Sequence, residues 1–211
     1  ENPHDIRTLR TLGELYKKIE QYDKSLEYYK KLSALQPGDA DLALEVVMME
    51  YSMIENDKKS NEELTSFLLK EYDRLCKQYP TNYKLHYQYG EALLKAKKYD
   101  EAIAEFQRSV VSPNYKCESI NKLGNCFEMK KFYDLAIDEY KRGIELTGDG
   151  MNELKKEMLY NLARTLEKSG KPEEALFYYK KIYQVDISYM DVAQKIEHFH
   201  KRDKGSTSTT T

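Results

Sequence analysis

A small residue, a second small residue twelve positions later and an aromatic residue four positions after that recur along this chain. The four copies of the pattern are Gly13/Ser25/Tyr29, Gly90/Ala102/Phe106, Gly124/Ala136/Tyr140 and Ala163/Ala175/Tyr179. Small residues at facing positions allow two antiparallel helices to approach closely. The aromatic residue lies one helical turn beyond the second small residue, where its ring can fill space toward the next helix pair. The pattern therefore predicts a chain built from repeated pairs of helices.

The separation of the copies indicates the repeat length. Gly90 and Gly124 are 34 residues apart. Ala163 follows Gly124 after 39 residues, which adds a five-residue extension around residues 147–150. A period of this length is typical of stacked helical repeats, in which each helix pair leaves an apolar face that only a neighbouring pair can bury.

One repeat is hidden by divergence. Gly13 and Gly90 are 77 residues apart, which corresponds to two 34-residue repeats and nine extra residues. The divergent repeat is expected at residues 40–82. We place its extra residues between its two helices, near residues 56–63.

This pattern resembles that of the tetratricopeptide repeat family. The first copy follows the family pattern through Leu12, Gly13, Tyr16, Ser25, Tyr29, Leu32 and Pro37. The family's first-helix Trp is replaced by Leu9, His86, Ile120 and Leu159. The resemblance covers roughly residues 6–189. It implies an all-α fold, a right-handed α-solenoid of antiparallel helix pairs with a C-terminal capping helix.

The resemblance and the spacing together predict the domain organisation. A leader at residues 1–5 precedes five repeats, expected at about 6–39, 40–82 (divergent, with the insertion), 83–116, 117–155 (with the extension) and 156–189. Val192, Ile196 and Phe199 share one helical face, which predicts a capping helix at residues 190–203. Residues 204–211 contain no apolar side chain and are predicted to form a disordered tail.

Charge and hydropathy exclude several classes of partner. The 34 Lys and Arg residues are balanced by 36 Asp and Glu residues, whereas a nucleic-acid-binding protein needs a basic excess. The longest apolar run, residues 46–49, is far shorter than the roughly 20 residues that span a bilayer. We therefore expect neither nucleic acid nor membrane as a partner.

The cysteines and the first residue bear on localisation. Three cysteines without paired spacing favour reduced thiols, and hence the cytoplasm. Because the chain begins at Glu1 rather than Met, an exported or lipid-anchored form is not excluded.

Motifs for chemistry are missing from the sequence. His198 and His200 are two positions apart on a predicted helix and point to different sides, which makes them a poor metal pair. Gly143 and Gly148 have the spacing of a phosphate loop, but Asp149 stands where that motif requires Lys. We expect no enzyme activity, no cofactor and no metal site.

The family resemblance also implies a binding surface. In the family, first helices line a concave groove, and their exposed positions contact a peptide. Carried over residue by residue, these positions are Arg10, Glu14, Tyr87, Glu91, Lys95, Asn121, Asn125, Glu128, Tyr160, Asn161, Arg164 and Glu167. Asn can bond a peptide backbone and Arg can pair with a carboxylate, although each residue is equally well interpreted as a solvated side chain without binding energy.

Some family members grip a C-terminal carboxylate with two Asn residues and basic partners. Asn125 and Asn161 resemble the two Asn, but the Lys expected one turn earlier is Asn121 here. The charge-assisted contacts of such a clamp are therefore largely missing. Mixed charges along the groove favour a partner with charges of both signs and some apolar anchors.

The leading hypothesis is a scaffold or adaptor that binds a peptide or protein partner in the groove. The alternative is a structural module that self-associates, as a homodimer through the stack ends or the convex face. An exposed apolar patch outside the groove would favour the alternative.

Overall fold

A computed structural model describes residues 5–57 and 60–206 of the chain. Within those residues the secondary structure consists of eleven α-helices and no strand. The helices are α1 (Ile6–Lys18), α2 (Tyr22–Leu35), α3 (Ala40–Asn56), α4 (Asn61–Gln78), α5 (Tyr83–Lys95), α6 (Tyr99–Ser109), α7 (Lys116–Met129), α8 (Tyr133–Leu146), α9 (Glu153–Lys168), α10 (Pro172–Tyr183) and α11 (Val192–Ser206). None of the helices described has the length and hydrophobicity needed to cross a lipid bilayer.

The chain divides into two compact units, Glu1–Ala96 and Lys97–Thr211. In unit 1, helices α1 to α4 each pack against the next helix along the chain. In unit 2, helices α6 to α10 do the same, and α7 also contacts α9. We call α1, α3, α5, α7 and α9 first helices, and α2, α4, α6, α8 and α10 second helices. The all-helical, paired-repeat fold predicted from the sequence is confirmed.

Two of the recurring glycines show how closely the paired helices pack. A Cβ atom built on Gly124 would lie 2.5 Å from Cε1 of Tyr140, and one built on Gly13 would lie 2.7 Å from Cε2 of Tyr29. Ser25, which occupies the second small position, donates a 2.8 Å hydrogen bond to the Gly13 carbonyl oxygen. Tyr29 and Tyr140 are therefore packed directly against the backbone of their own first helices.

The turns within the helix pairs share one backbone geometry. Glu20, Lys97, Lys131 and Gly170 each lie two positions before a second helix, with φ of 59°, 61°, 64° and 79°. After Glu20, Lys131 and Gly170, the next residue donates its N–H to a carbonyl five positions back, as Phe132 does to Phe127 (2.9 Å). Such a turn favours glycine, which only Gly170 provides among these four positions.

The extra residues of the divergent repeat were predicted to lie between its two helices, but most of them belong to the helices. They lengthen both helices instead: α3 has 17 residues and α4 has 18, against 13 and 14 in α1 and α2. Ser60 starts α4 with a capping box to Glu63, so residues of the expected insertion already belong to helix.

At both ends of the chain, helical structure extends beyond the predicted boundaries. Asp5, predicted as leader, caps α1 by accepting a hydrogen bond from the Thr8 N–H (2.9 Å). Helix α11 covers most of the predicted capping helix and continues to Ser206, three residues into the predicted tail. The rest of that tail, residues 207–211, and the leader residues 1–4 lie outside the described residues.

Candidate protein-binding surface

Glu128, near the end of α7, is the centre of an ion cluster in unit 2. Its side chain is 1% exposed. Arg164 of α9 donates to both carboxylate oxygens, at 3.1 and 2.8 Å, and Lys168 donates to one of them at 2.7 Å. The Tyr140 hydroxyl lies 3.3 Å from Glu128 and 2.7 Å from Oδ1 of Asn125. We call these five residues the Glu128 cluster.

The cluster determines the ionisation of its members. Burial alone would raise the pKa of Glu128, but the hydrogen bonds and positive charges of Arg164 and Lys168 outweigh it and hold that pKa below its ordinary value. Burial, together with the nearby Glu128 charge, raises the pKa of the Tyr140 hydroxyl. At neutral pH the cluster therefore contains one carboxylate, two cations and a neutral phenol.

Two Asn residues form a second contact between α7 and α9. Asn161 donates to Oδ1 of Asn121 at 3.3 Å, and Asn121 donates to Glu157 at 2.9 Å. Asn121 and Asn161 are 1% and 6% exposed. Because their amide groups already bond to each other, they hold the helices in register and are not available to a peptide.

Glu167 and Tyr160 connect α9 to the chain that follows it. Glu167 accepts hydrogen bonds from the Tyr179 hydroxyl (2.7 Å) and from Lys195 of α11 (2.8 Å). The Tyr160 hydroxyl donates to Asp191 at 2.7 Å. Burial and this hydrogen bond raise the pKa of Tyr160 to about 12.

Arg10 and Glu14, the predicted binding residues on α1, are exposed. Arg10 lies 3.9 Å from Asp39, and Glu14 is exposed on the same helix. Lys17, which the sequence reasoning missed, pairs with Glu45 of α3 at 2.9 Å. The repeat spacing could have indicated Lys17, because it follows Gly13 by four residues, as Glu128 follows Gly124.

On α5, the predicted residues occupy one face of the helix. Tyr87 is half-buried and its hydroxyl lies 3.4 Å from Glu91, a long hydrogen bond. Lys95 is exposed in the last turn. The structure therefore places these three residues at neighbouring turns of one helix, as the four-residue spacing predicted.

The expectation that all twelve residues are exposed is wrong for Asn121, Glu128 and Asn161, which are buried between first helices. Their polar groups bond to the neighbouring first helix instead of to solvent. Arg164 remains 34% exposed and Asn125 is half-buried. We use the term first-helix face for the side of α7 and α9 that bears Asn125 and Arg164.

The three cysteines, all of which lie in the described part of the chain, form no disulfide. Cys76 and Cys126 are buried and Cys117 is half-buried. Burial raises the pKa of Cys126 to about 12, and it also raises the pKa of Cys117. Cys126 is therefore protonated at neutral pH, unlike a nucleophilic thiolate.

Comparison with known proteins identifies the repeat. Tetratricopeptide repeat family models match residues 7–39 and 156–186, and residues 71–104. These matches cover both units and agree with the paired-helix packing. The chain is a tetratricopeptide repeat protein.

Solved structures share the fold. MamA residues 41-end from Desulfovibrio magneticus RS-1 match with a TM-score of 0.66 at 14% identity, over 87% of this chain and 96% of that one. YrrB, described as a TPR protein with an unusual peptide-binding site, matches with a TM-score of 0.66 at 18% identity, over 95% of this chain and 94% of that one. At these identities the similarity concerns the fold alone.

One relative is similar to this chain over only part of its own length. The BBSome complex member BBS4 homolog of Drosophila melanogaster is 24% identical over 152 residues, which cover 72% of this chain and 29% of that protein. The chain thus spans less than a third of the length of this relative.

Proposed function

We propose that the chain is a protein-interaction scaffold that holds a peptide or protein segment against the first-helix face. The observation that supports this most directly is the fixed position of its recognition groups. Arg164 is 34% exposed, yet two hydrogen bonds to Glu128 hold its guanidinium in place. Side chains that are ordered before binding lose less conformational entropy when a partner docks.

Asn125 and Arg164 provide the chemistry for backbone and carboxylate recognition. Asn125 accepts from Tyr140 through Oδ1, and its amide nitrogen carries two N–H donors that suit peptide carbonyl groups. Arg164 and Lys168 together outnumber the single carboxylate of Glu128, which makes this part of the face positive. A segment with a carboxylate near its point of contact would complement it.

Known relatives agree with this class of function. Tetratricopeptide repeat domains bind proteins and peptides in general, the YrrB structure is described as having a peptide-binding site, and the BBS4 homolog is a member of a complex. We infer that this chain likewise works by holding another protein. The identity of the partner is the question for experiment.

The test is capture of partners from a lysate of the source cells by three forms of the chain. The face variant, Asn125→Asp with Arg164→Lys, keeps the acceptor for Tyr140 and a cation for Glu128 but removes the amide donors and the planar guanidinium. The control, Lys141→Gln with Arg142→Lys on α8, makes the same change in net charge and also alters an Arg that pairs with a Glu (Arg142–Glu139, 2.7 Å).

A partner that the parent and the control retain and the face variant loses would support the first-helix face. Retention by all three forms would show that this face is not the binding surface. Circular dichroism and thermal melting of the three forms establish that each remains folded.

A second candidate function, self-association, rests on a different observation. The segment between α10 and α11 exposes Val185, Ile187 and Met190 by 57%, 68% and 62%. Exposed apolar side chains that lie close together are typical of protein contacts. They lie outside the first-helix face, where an apolar patch was expected to favour self-association.

Sedimentation velocity distinguishes this candidate. Self-association through the segment predicts a dimeric parent and a monomeric Val185→Ser, Ile187→Ser variant. The control, Val111→Ser with Leu146→Ser, removes two other exposed apolar side chains, 65% and 46% exposed, and should remain dimeric. A monomeric parent would rule out the candidate.

A further inference from the structure

Two turns of unit 2 form a cleft beside the Glu128 cluster. The cleft measures about 570 Å³ and is lined by residues 131–135, from the α7–α8 turn and the start of α8, and by Lys168, Ser169 and Lys171, from the end of α9 and the turn that follows it. We call it the basic cleft. A volume of this size accommodates a few side chains of a partner.

Apolar side chains are unusually exposed at this cleft. Phe132 is 48% exposed and Leu135 is 49% exposed, and Met129, 53% exposed, immediately precedes the turn. Three large apolar residues exposed within seven positions of a turn are the kind of surface that a protein partner covers. The apolar part of the cleft therefore favours Leu-like or Phe-like anchors on the partner.

Lysines surround these apolar residues. Lys131, Lys168 and Lys171 line the cleft, against a single carboxylate, Asp134. Asp134 is 90% exposed and 3.9 Å from Lys171, so this pair is loose and solvent-screened. Lys168 is already paired with Glu128, so Lys131 and Lys171 against Asp134 give the cleft its net positive charge, next to exposed apolar surface.

The repeat fold does not require that charge. Unit 1 has a cleft at the corresponding turn, of about 520 Å³, lined by residues 20–24 with Met53, Asn56 and Asp57. It contains three carboxylates and one lysine. The backbone geometry is the same, with φ of 59° at Glu20 and 64° at Lys131. The basic cleft is therefore a property of its own side chains rather than of the turn.

Both walls of the basic cleft are held by backbone hydrogen bonds. In one turn, Lys131 donates to the Glu128 carbonyl and Phe132 donates to the Phe127 carbonyl, each at 2.9 Å. In the other, the Gly170 and Lys171 N–H groups donate to carbonyls of α9 at 3.1 and 2.9 Å. The cleft is formed before any partner arrives, which lowers the entropic cost of docking.

We propose that the basic cleft is a second docking site, which takes an acidic segment of a partner protein with a Leu or Phe side chain flanked by Asp or Glu. The carboxylates would pair with Lys131 and Lys171, and the apolar side chain would cover Phe132 and Leu135. Charge complementarity selects this occupant, since a basic segment would be repelled at the same surface. The cleft borders the first-helix face at Lys168, which pairs with Glu128, whereas Lys131, Phe132, Leu135 and Lys171 belong to the cleft alone.

The probe is a fluorescein-labelled peptide in which Leu and Phe are flanked by Glu, compared with the same peptide carrying Lys in place of each Glu. Binding is measured by fluorescence anisotropy. We expect the parent to bind the Glu peptide about tenfold more tightly than the Lys peptide, with the difference shrinking as salt rises from about 0.05 to 0.5 M. Equal affinities for the two peptides would overturn the proposal.

Two variants examine the charged and apolar parts of the cleft separately. The double variant Lys131→Glu with Lys171→Glu should weaken binding of the Glu peptide about tenfold, and Leu135→Ser should weaken it a few-fold without a change in charge. Lys168 is left intact because it holds Glu128. The control, Lys141→Glu with Lys180→Glu on exposed positions of α8 and α10, makes the same charge change away from the cleft.

An equal loss of affinity for the Glu peptide in the control and the cleft variant would overturn the proposal, because it would indicate attraction by overall charge alone. Loss of peptide binding in the Asn125→Asp, Arg164→Lys variant but not in the cleft variant would assign the peptide to the first-helix face instead. A parent that dimerises, with a monomeric cleft variant, would make a second copy of the chain the occupant and overturn the peptide assignment.

Discussion

The two units place different charged side chains at equivalent positions of the repeat. Four positions after the small residue of the first helix, unit 1 has Lys17 and unit 2 has Glu128. Lys17 pairs with Glu45, and these side chains are 47% and 45% exposed. Glu128 is 1% exposed and bonds to two cations. Equivalent positions in a repeat can thus hold a loose surface pair or a buried ion cluster.

The difference predicts that burial, rather than the number of ion pairs, decides how much each pair contributes to stability. An exposed pair gains little because water screens it and its long side chains lose entropy. A buried carboxylate has lost its hydration, so its partners must be present to compensate. The comparison between the units can be tested by removing equivalent groups from each.

The largest expected effect is from loss of the Glu128 charge. Glu128→Gln should lower the free energy of unfolding by about 3 kcal/mol at neutral pH, the low end for a buried pair because both cations reach solvent. Glu45→Gln should cost about 0.5 kcal/mol, as is usual for an exposed pair. Urea denaturation followed by circular dichroism measures both. Equal losses would show that the two pairs are equivalent and the comparison is wrong.

Acid should remove the Glu128 effect. The pKa of Glu128 is lower in the folded chain than the ordinary value of 4.5, so its charge stabilises the fold above that pH. As the pH falls through the lowered folded-state pKa, Glu128 is protonated and this stabilisation is lost. The stability difference between the parent and Glu128→Gln should therefore shrink on going from pH 7 to pH 3. A difference that is independent of pH would show that Glu128 acts through packing alone.

The glycines of the two first helices should also differ. A Cβ atom at Gly124 or Gly13 would collide with Tyr140 or Tyr29. Gly124→Ala should cost about 2 kcal/mol, because α7 is enclosed by α6, α8 and α9 and the Tyr140 hydroxyl is anchored. Gly13→Ala should cost about 1 kcal/mol, since α1 packs on α2 and can shift outward.

Thermal melting of these two variants tests the ranking. Gly38→Ala, where an added Cβ meets no atom within 4 Å, is the control. A larger loss at Gly13 than at Gly124 would contradict the idea that unit 2 holds its aromatic ring more firmly.

The turns have the same geometry in the two units, so their substitutions should have equal effects. Lys131→Gly and Glu20→Gly should each stabilise the fold by about 1 kcal/mol, because a left-handed backbone is strained for a residue with a Cβ. Gly170→Ala should destabilise it by a similar amount for the same reason. If one of the substitutions Lys131→Gly and Glu20→Gly stabilised the fold and the other destabilised it, the shared turn geometry would not be what determines these effects.

The fold could be predicted from the sequence because its signals are local and periodic. The Gly124/Ala136/Tyr140 pattern requires close helix contact wherever it occurs, so its recurrence predicts the helix pairs directly. The divergent repeat was harder, since nothing local distinguishes extra residues in a turn from extra residues in a helix. Its insertion was placed in the turn, whereas α3 and α4 are longer instead.

The candidate site was predicted only in outline. The family spacing placed Asn125 and Arg164 on one face, and the structure shows both partly exposed. The family spacing could not show that Asn121 and Asn161 bond to each other, because they are 40 residues apart in the chain. Lys168 and the basic cleft were missed for the same reason, since no local pattern relates residues 131–135 to the turn after α9.

Local sequence specifies the helix pairs, their period and the residues at which they pack, because small and aromatic side chains at fixed spacing constrain neighbouring helices in the same way everywhere. Which polar residues remain available for a partner depends on how the helices are arranged in the folded chain. A polar side chain on a first helix reaches solvent or a neighbouring helix according to what lies opposite it. For Glu128 the opposite residues are Arg164 and Lys168, 36 and 40 positions away.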